Sequence, residues 1–311
     1  MSIPSWHAEL WSRLQARRQR DALPHALLLC GPQGLGKRDF LRRFVRGLLC
    51  QHPDDGDACG TCRSCLLLDA GTHPDYVALS FGLRKDGVQR SDIVVDQIRG
   101  LSARLATASQ FGGWQIASID PADAMNTAAA NALLKTLEEP ASQTMLILVA
   151  DAPWRMPATI RSRCQRIDFQ LPKYDDSLAW LQQVGVRDPQ VALAAAGGNP
   201  GLARIWSEEG ALAQRQEVRK DLAALASGRG DAMAMGKRWL DDAPDQRLWF
   251  AAQAVADEVR ARATAQSTPL SSALDGEDLM AWYHAANRTR EALRGPLRGD
   301  LLLLELLGRW R

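Results

Sequence analysis

The sequence predicts an α/β domain on a mainly parallel sheet, followed by two all-helical parts. Three observations carry that prediction. Strand and helix signals alternate through the first 170 residues, a glycine-rich turn joins a strand to a helix, and strand signals stop after Pro172. A chain of 311 residues is about two domains long at roughly 150 residues each. With 46% hydrophobic and 24% charged residues, disordered and fibrous classes are excluded.

The strand candidates are apolar runs bounded by turn residues: 25–30, 75–80, 114–120, 144–150 and 165–171. Helical stretches separate them at 38–49, 93–105, 124–139 and 157–161. Beyond Pro172, three short helical pieces (175–184, 189–196, 200–208) are divided by Gly185 and the Gly197-Gly198-Asn199-Pro200 cluster. From Gly210 onward the chain is rich in Ala, Leu and Arg, with breaks at 227–228, 241–244 and 267–269, as in a helical bundle. The predicted divisions are therefore 1–171, 172–208 and 209–311. No apolar run approaches the roughly 20 residues of a membrane helix, and Met1 to His7 does not read as a signal peptide, so a cytoplasmic protein is expected. The net charge of +2 is spread evenly and gives no large basic field for nucleic acid.

Gly31-Pro32-Gln33-Gly34-Leu35-Gly36-Lys37-Arg38 has the spacing of a phosphate-binding loop. Gly31, Gly34 and Gly36 allow backbone N–H groups to wrap a phosphate, and Lys37 reaches the outer phosphates. The last position departs from the pattern. A Ser or Thr hydroxyl would ligate magnesium there, whereas the Arg38 guanidinium only donates. Asp120, at the end of the 114–120 run, sits where a magnesium-linked carboxylate belongs. It is followed by Pro121 instead of a glutamate that would polarise water. Asp123 is the alternative base, or simply an acidic residue in a first helical turn. The loop is read as degenerate: no hydrolysis, and nucleotide binding weak or absent.

Cys50, Cys59, Cys62 and Cys65 follow C-x8-C-x2-C-x2-C, and two-residue spacing lets a tight turn aim two sulfurs at one metal. Structural zinc is the preferred reading, with an iron–sulfur cluster or disulfides as competitors and His52 and His73 as alternative ligands. Four thiolates leave no open position, so the ion would organise an insertion near 50–75 and catalyse nothing. Cys30 and Cys164 read as buried small side chains.

Three stretches together resemble the bacterial clamp-loader AAA+ family. Residues 131–140, Asn-Ala-Leu-Leu-Lys-Thr-Leu-Glu-Glu-Pro, resemble that family's N-A-L-L-K-x-L-E-E-P helix, and Ser162-Arg163-Cys164 resembles its S-R-C motif. The cysteine quartet is a further mark of the bacterial group. The resemblance covers residues 1 to about 208; the last hundred match only in length and helical character. It implies an AAA+ domain with a zinc-binding insertion, a helical lid and an all-helical collar that assembles into a ring. It also implies that Arg163 acts in trans, as an arginine finger on ATP held by a neighbouring subunit. The implied partners are the gamma/tau ATPase subunits and the delta subunit, with the sliding clamp and primer–template DNA reached through the complex, and no membrane. The implied setting is a DNA polymerase holoenzyme. Active members carry an arginine after a Gly-Ser pair on the lid, and Gly201 stands in that place here. Lys135, Glu138 and Glu139 fit a solvated helix face as well as an interface or DNA-facing surface.

The expected function is thus a non-hydrolysing clamp-loader subunit. An autonomous AAA+ ATPase acting on DNA is the alternative. A zinc-organised DNA-binding module is weakened by Asp54, Asp55 and Asp57 between the first two cysteines.

Overall fold

The computed structural model describes residues 4–83, 87–265, 270, 272–293 and 297–310. The chain divides into two compact units, Met1–Asp176 and Ser177–Arg311.

In the first unit a short turn at Ser5–His7 leads into α1 (Ala8–Gln19), then β1 (Ala26–Cys30) and α2 (Lys37–Leu49). There follow α3 (Arg63–Asp69), β2 (Tyr76–Leu79), α4 (Val95–Leu105), β3 (Gln115–Ile119), α5 (Thr127–Glu138), β4 (Thr144–Ala150), α6 (Ala158–Arg161) and β5 (Gln165–Asp168). The strands form one sheet in the order β2-β3-β4-β1-β5. Every pairing is parallel, with Leu28 of β1 opposite Leu148 of β4 and Arg166 of β5. The predicted α/β class with a parallel sheet is therefore the one observed.

Strand alternation sorts the core into two layers. Leu28, Ala117, Ile119, Leu146 and Leu148 face α4 and α5 through Ile98, Leu101, Leu133 and Leu137. Leu27, Leu29, Ile116, Met145, Ile147 and Val149 face α1 and α2 through Trp11, Leu14, Phe40 and Phe44. Each large side chain buried in this way contributes roughly 1.5–3 kcal/mol.

Several boundaries move for local reasons. The helix expected from 124 starts at Thr127, because the Asn126 side chain accepts the Ala129 N–H at 3.0 Å and caps it. The strand expected to reach 171 ends at Asp168. Phe169 N–H still bonds Cys30 O at 2.7 Å, but Leu171 is exposed and Pro172 has no N–H to give. Helices α1 and α3 carry no strong periodic signal: α1 buries only Trp11, Leu14 and Gln15, and α3 has seven residues.

The second unit is helical throughout its described residues: α7 (Tyr174–Gln183, which starts just before it), α8 (Pro189–Ala195), α9 (Pro200–Glu208), α10 (Ala211–Ala226), α11 (Ala232–Asp241), α12 (Pro244–Ala263), α13 (Gly276–Ala292) and α14 (Gly299–Gly308). The break expected at 267–269 lies outside the described residues. One continuous core runs from Leu181 to Trp310. Its buried indoles find polar partners: Trp239 Nε1 donates to Asp221, Trp282 Nε1 to Leu306 O and Trp310 Nε1 to Leu222 O, each within 2.9 Å. No helix is long and apolar enough to cross a membrane, among the residues described.

Candidate functional site

The carboxyl ends of β3, β4 and β1 lie side by side in the sheet, at the edge where a parallel sheet usually carries its ligand crevice. Four charged side chains meet there. Lys37 begins α2 after the glycine-rich loop, Arg38 follows it, Asp120 follows β3 and Asp151 follows β4. Lys37 Nζ donates to Gly31 O at 2.5 Å and Pro32 O at 2.7 Å, and pairs with Asp151 Oδ1 at 2.6 Å. Arg38 grips Asp120 with Nε and Nη2, both at 2.8 Å, and reaches Asp151 with Nη1 at 3.3 Å and Nη2 at 3.0 Å. The Lys37 side chain is 1% exposed, whereas that of Arg38 is 39% exposed.

The loop is shaped by what lies beneath it. Gly31 has φ +143°, and a Cβ there would lie 2.3 Å from the Phe169 carbonyl oxygen. Gly36 has φ +78°, and a Cβ would meet the His7 ring at 2.9 Å. His7 packs edge-on against Phe40 and Phe169, and Trp11 against Phe40 and Phe44. Burial lowers His7 to about 4, so it is neutral under the loop. Burial by itself would raise Asp151, but Arg38 and Lys37 outweigh it and hold the carboxyl below its ordinary range. Burial likewise lowers Lys37 against the pull of Asp151. Asp123 Oδ2 accepts the Ala152 N–H at 2.9 Å, while its Oδ1 is buried without a hydrogen-bond partner.

The cysteine quartet closes on itself between the end of α2 and the start of α3. The four sulfurs all lie within 4.8 Å of one another, and Cys50 and Cys62 are 3.9 Å apart. That is too long for a disulfide, and all six cysteines are free. It matches the roughly 3.8 Å between sulfurs held at about 2.3 Å around a tetrahedral ion. Backbone N–H groups already point at the sulfurs: Cys59 N–H to Cys50 Sγ at 3.2 Å, Cys62 N–H to Cys59 Sγ at 3.4 Å and Cys65 N–H to Cys62 Sγ at 3.5 Å. Such bonds from Thr61 and Cys62 draw Cys59 down to about 6, toward the thiolate a metal needs. The donor set and the spacing fit a tetrahedral metal.

Neither histidine joins the quartet. His52 is exposed, and His73 is buried in a relay in which its Nε2 meets Ser64 Oγ at 2.8 Å and Ser64 Oγ donates to Leu49 O at 2.5 Å. Asp75 N–H donates to His73 Nδ1 at 3.1 Å, fastening the insertion to the start of β2. Cys30 and Cys164 are buried, and burial raises them to about 11 and about 12.

Arg163 lies just after α6, exposed, with Nη2 2.7 Å from Glu138 Oε1 on α5 and Nη1 donating to Thr159 O at 2.9 Å. Lys135 and Glu138 on α5, and Glu139 just after it, are all exposed. Sequence reasoning missed Asp151 and His7. Asp151 directly follows the seven-residue apolar run of β4, in the same relation to its strand as Asp120 to β3, and that parallel was the available signal. His7 carried no signal, since only the fold brings the N-terminal turn beneath Gly36.

The sequence profile of the family described as "DNA polymerase III, delta subunit" matches residues 6–173. DNA polymerase III subunit delta' of Pseudomonas aeruginosa is 40% identical over 241 residues, covering 76% of this chain and 71% of that protein. The Escherichia coli delta' subunit is 35% identical over 201 residues, covering 64% and 59%. In that second case the match spans less than two thirds of the relative's length. DNA polymerase III subunit tau of Bacillus subtilis is 33% identical over 146 residues, covering 47% of this chain and 24% of tau.

Proposed function

The chain belongs to the DNA polymerase III delta' family, and from that premise we propose that it is a non-hydrolysing subunit of a clamp loader. It stabilises the loader ring and offers Arg163 to ATP on a neighbouring gamma/tau subunit, so that the sliding clamp is set on primed DNA. Residues 1–171 act as the AAA+ domain, 172–208 as its lid and 209–311 as the collar that meets other subunits, delta among them. Zinc held by Cys50, Cys59, Cys62 and Cys65 fixes the insertion near 50–75 and has no catalytic part.

One observation carries the proposal. The chain presents an exposed arginine on the segment matching S-R-C, while its own phosphate loop has Arg38 where a magnesium-binding hydroxyl would be. The glutamate that would polarise water is replaced by Pro121 after Asp120, and Asp123 already accepts the Ala152 N–H with its Oδ2. An arginine delivered from outside stabilises charge on the transferring phosphoryl group, an effect worth roughly 10³–10⁵ in rate. Glu138 holds Arg163 only through an exposed pair, which contributes about 0–1 kcal/mol and is readily exchanged for a phosphate.

The test is a reconstituted loader carrying Arg163→Ala. Assembly should be unchanged, and DNA-stimulated ATP turnover and clamp loading should fall at least 100-fold at the affected site. Wild-type loading by that complex would overturn the role in trans. Turnover of ATP by the isolated wild-type chain would instead establish the autonomous ATPase.

A further inference from the structure

The crevice carries more than a defective phosphate loop. Its polar atoms are almost all spent on one another. An ammonium has three N–H donors, and Lys37 aims all three at Gly31 O, Pro32 O and Asp151 Oδ1. A guanidinium has five N–H groups, and Arg38 uses four of them on Asp120 and Asp151. Both oxygens of Asp120 are taken by Arg38, and both oxygens of Asp151 are taken by the two cations. Two cations and two carboxylates sum to zero charge.

Each of these groups stands where a component of a bound magnesium nucleotide would otherwise be met. The loop lysine reaches the outer phosphates, and here Asp151 supplies the anion it reaches. The carboxylate after the neighbouring strand holds magnesium, and here the Arg38 guanidinium is the cation it holds, in the bidentate fork suited to a carboxylate. We propose that Asp151 and Arg38 are an internal substitute for the terminal phosphate and the magnesium ion, so that this chain keeps its loop and α2 in place by excluding nucleotide. The inference rests on the non-hydrolysing reading and deepens it: the site is filled, rather than open and catalytically deficient.

The physical basis is competition. A polyphosphate entering the crevice must displace the Asp151 carboxylate from Lys37 while that carboxylate stays beside it, adding like charge to a balanced set. Magnesium must displace an arginine that is covalently part of the site and already makes two short bonds to Asp120. Arg38 is partly open to solvent and its flexible stem lets it leave, so removing it need not disturb the buried Lys37 beneath. The loop conformation that a phosphate would need is meanwhile kept by the glycines and the aromatic floor, which the two substitutions below do not touch.

The experiment uses the full-length chain, with a fluorescent ATP analogue and inorganic pyrophosphate as probes, with and without magnesium. Wild type should bind neither at millimolar concentration and show no rise in melting temperature with either. The double variant Arg38→Ser/Asp151→Asn removes the anion paired with Lys37, frees Asp120 and supplies a hydroxyl. It should bind the ATP analogue at least 30-fold more tightly than wild type, with a magnesium-dependent part, yet turn over no ATP. Adding Lys37→Met should abolish the gain. Micromolar binding by wild type, or no gain in a folded double variant, would overturn the proposal. If the double variant does not fold, Asp151→Asn alone serves, with an expected several-fold, magnesium-independent gain for pyrophosphate; no gain there also overturns it. ATP turnover by wild type is a separate outcome, and it strikes the non-hydrolysing reading itself.

Discussion

His7 illustrates how one residue's chemistry is set by what packs on it. Its ring is 2% exposed beneath Gly36 and against Phe40 and Phe169, and burial lowers it to about 4 from 6.5. The sign follows from proton counting. Below pH 6.5 the unfolded chain binds a proton at this position that the folded chain refuses, so stability is full above 6.5 and declines as the pH falls toward 4. Between pH 7 and pH 5 the first unit should lose about 2 kcal/mol through His7 alone. Denaturant titrations of wild type and His7→Phe at both values check this; an equal loss in the two proteins would exclude His7 as the source. At the same scale, the acceptance of four charges in one crevice depends on their mutual pairing. Lys37, at 1% exposure, has its ammonium matched by the Asp151 carboxylate and two loop carbonyls.

Among the elements, the turn from β1 to α2 is the most constrained. Gly31 combines a positive φ with a backbone oxygen 2.3 Å from where a Cβ would sit, and neither partner is a side chain able to swing away. Gly31→Ala should therefore cost about 3 kcal/mol or more, read as a lower denaturation midpoint of the first unit. A loss under 1 kcal/mol would mean that the β5 end, at Phe169, yields. The glycine-rich spacing made this turn legible in the sequence, as the apolar runs made four of the five strands legible to within a residue or two. Helices α1 and α3 were not legible. The sparsely apolar α1 gains stability through Trp11 from Phe40 and Phe44, distant in the chain, and the seven-residue α3 from its Cys62 cap and the cysteine cluster, and hydrophobic periodicity registers neither.

For the whole molecule, the two units have separate cores, and each has its own weak point. With the metal proposed above bound at the quartet, Cys62→Ser should reduce the metal content to a small fraction and lower the melting of the first unit only. Trp310, fully buried and bonded to Leu222 O, anchors α14 on the second core. Trp310→Ala should destabilise that unit by about 3–5 kcal/mol while leaving the metal content unchanged. Calorimetry with metal analysis on both variants checks the pair, and a metal loss in Trp310→Ala would contradict this independence. The helices α7 to α9 share their core with α10 to α14, through contacts such as Trp206 against Phe250 and the Trp249 Nε1 bond to Ala195 O. The change of composition near residue 209 does not reveal that continuity, because apolar faces in a helical sequence do not name their partners.

By itself the sequence determined the class of the first domain, the phosphate-loop frame with its missing hydroxyl, the cysteine set and the family resemblance at residues 131–140 and 162–164. These are local: spacing along the chain fixes which groups a turn or a helix face can bring together. Only the tertiary structure decided that Arg38 turns inward onto Asp120 and Asp151, that Lys37 has no donor left over, and that His7 lies under the loop. Those contacts join residues as far apart in the chain as Lys37 and Asp151 through the order of strands in the sheet, and the pairing of opposite charges across it follows from that order.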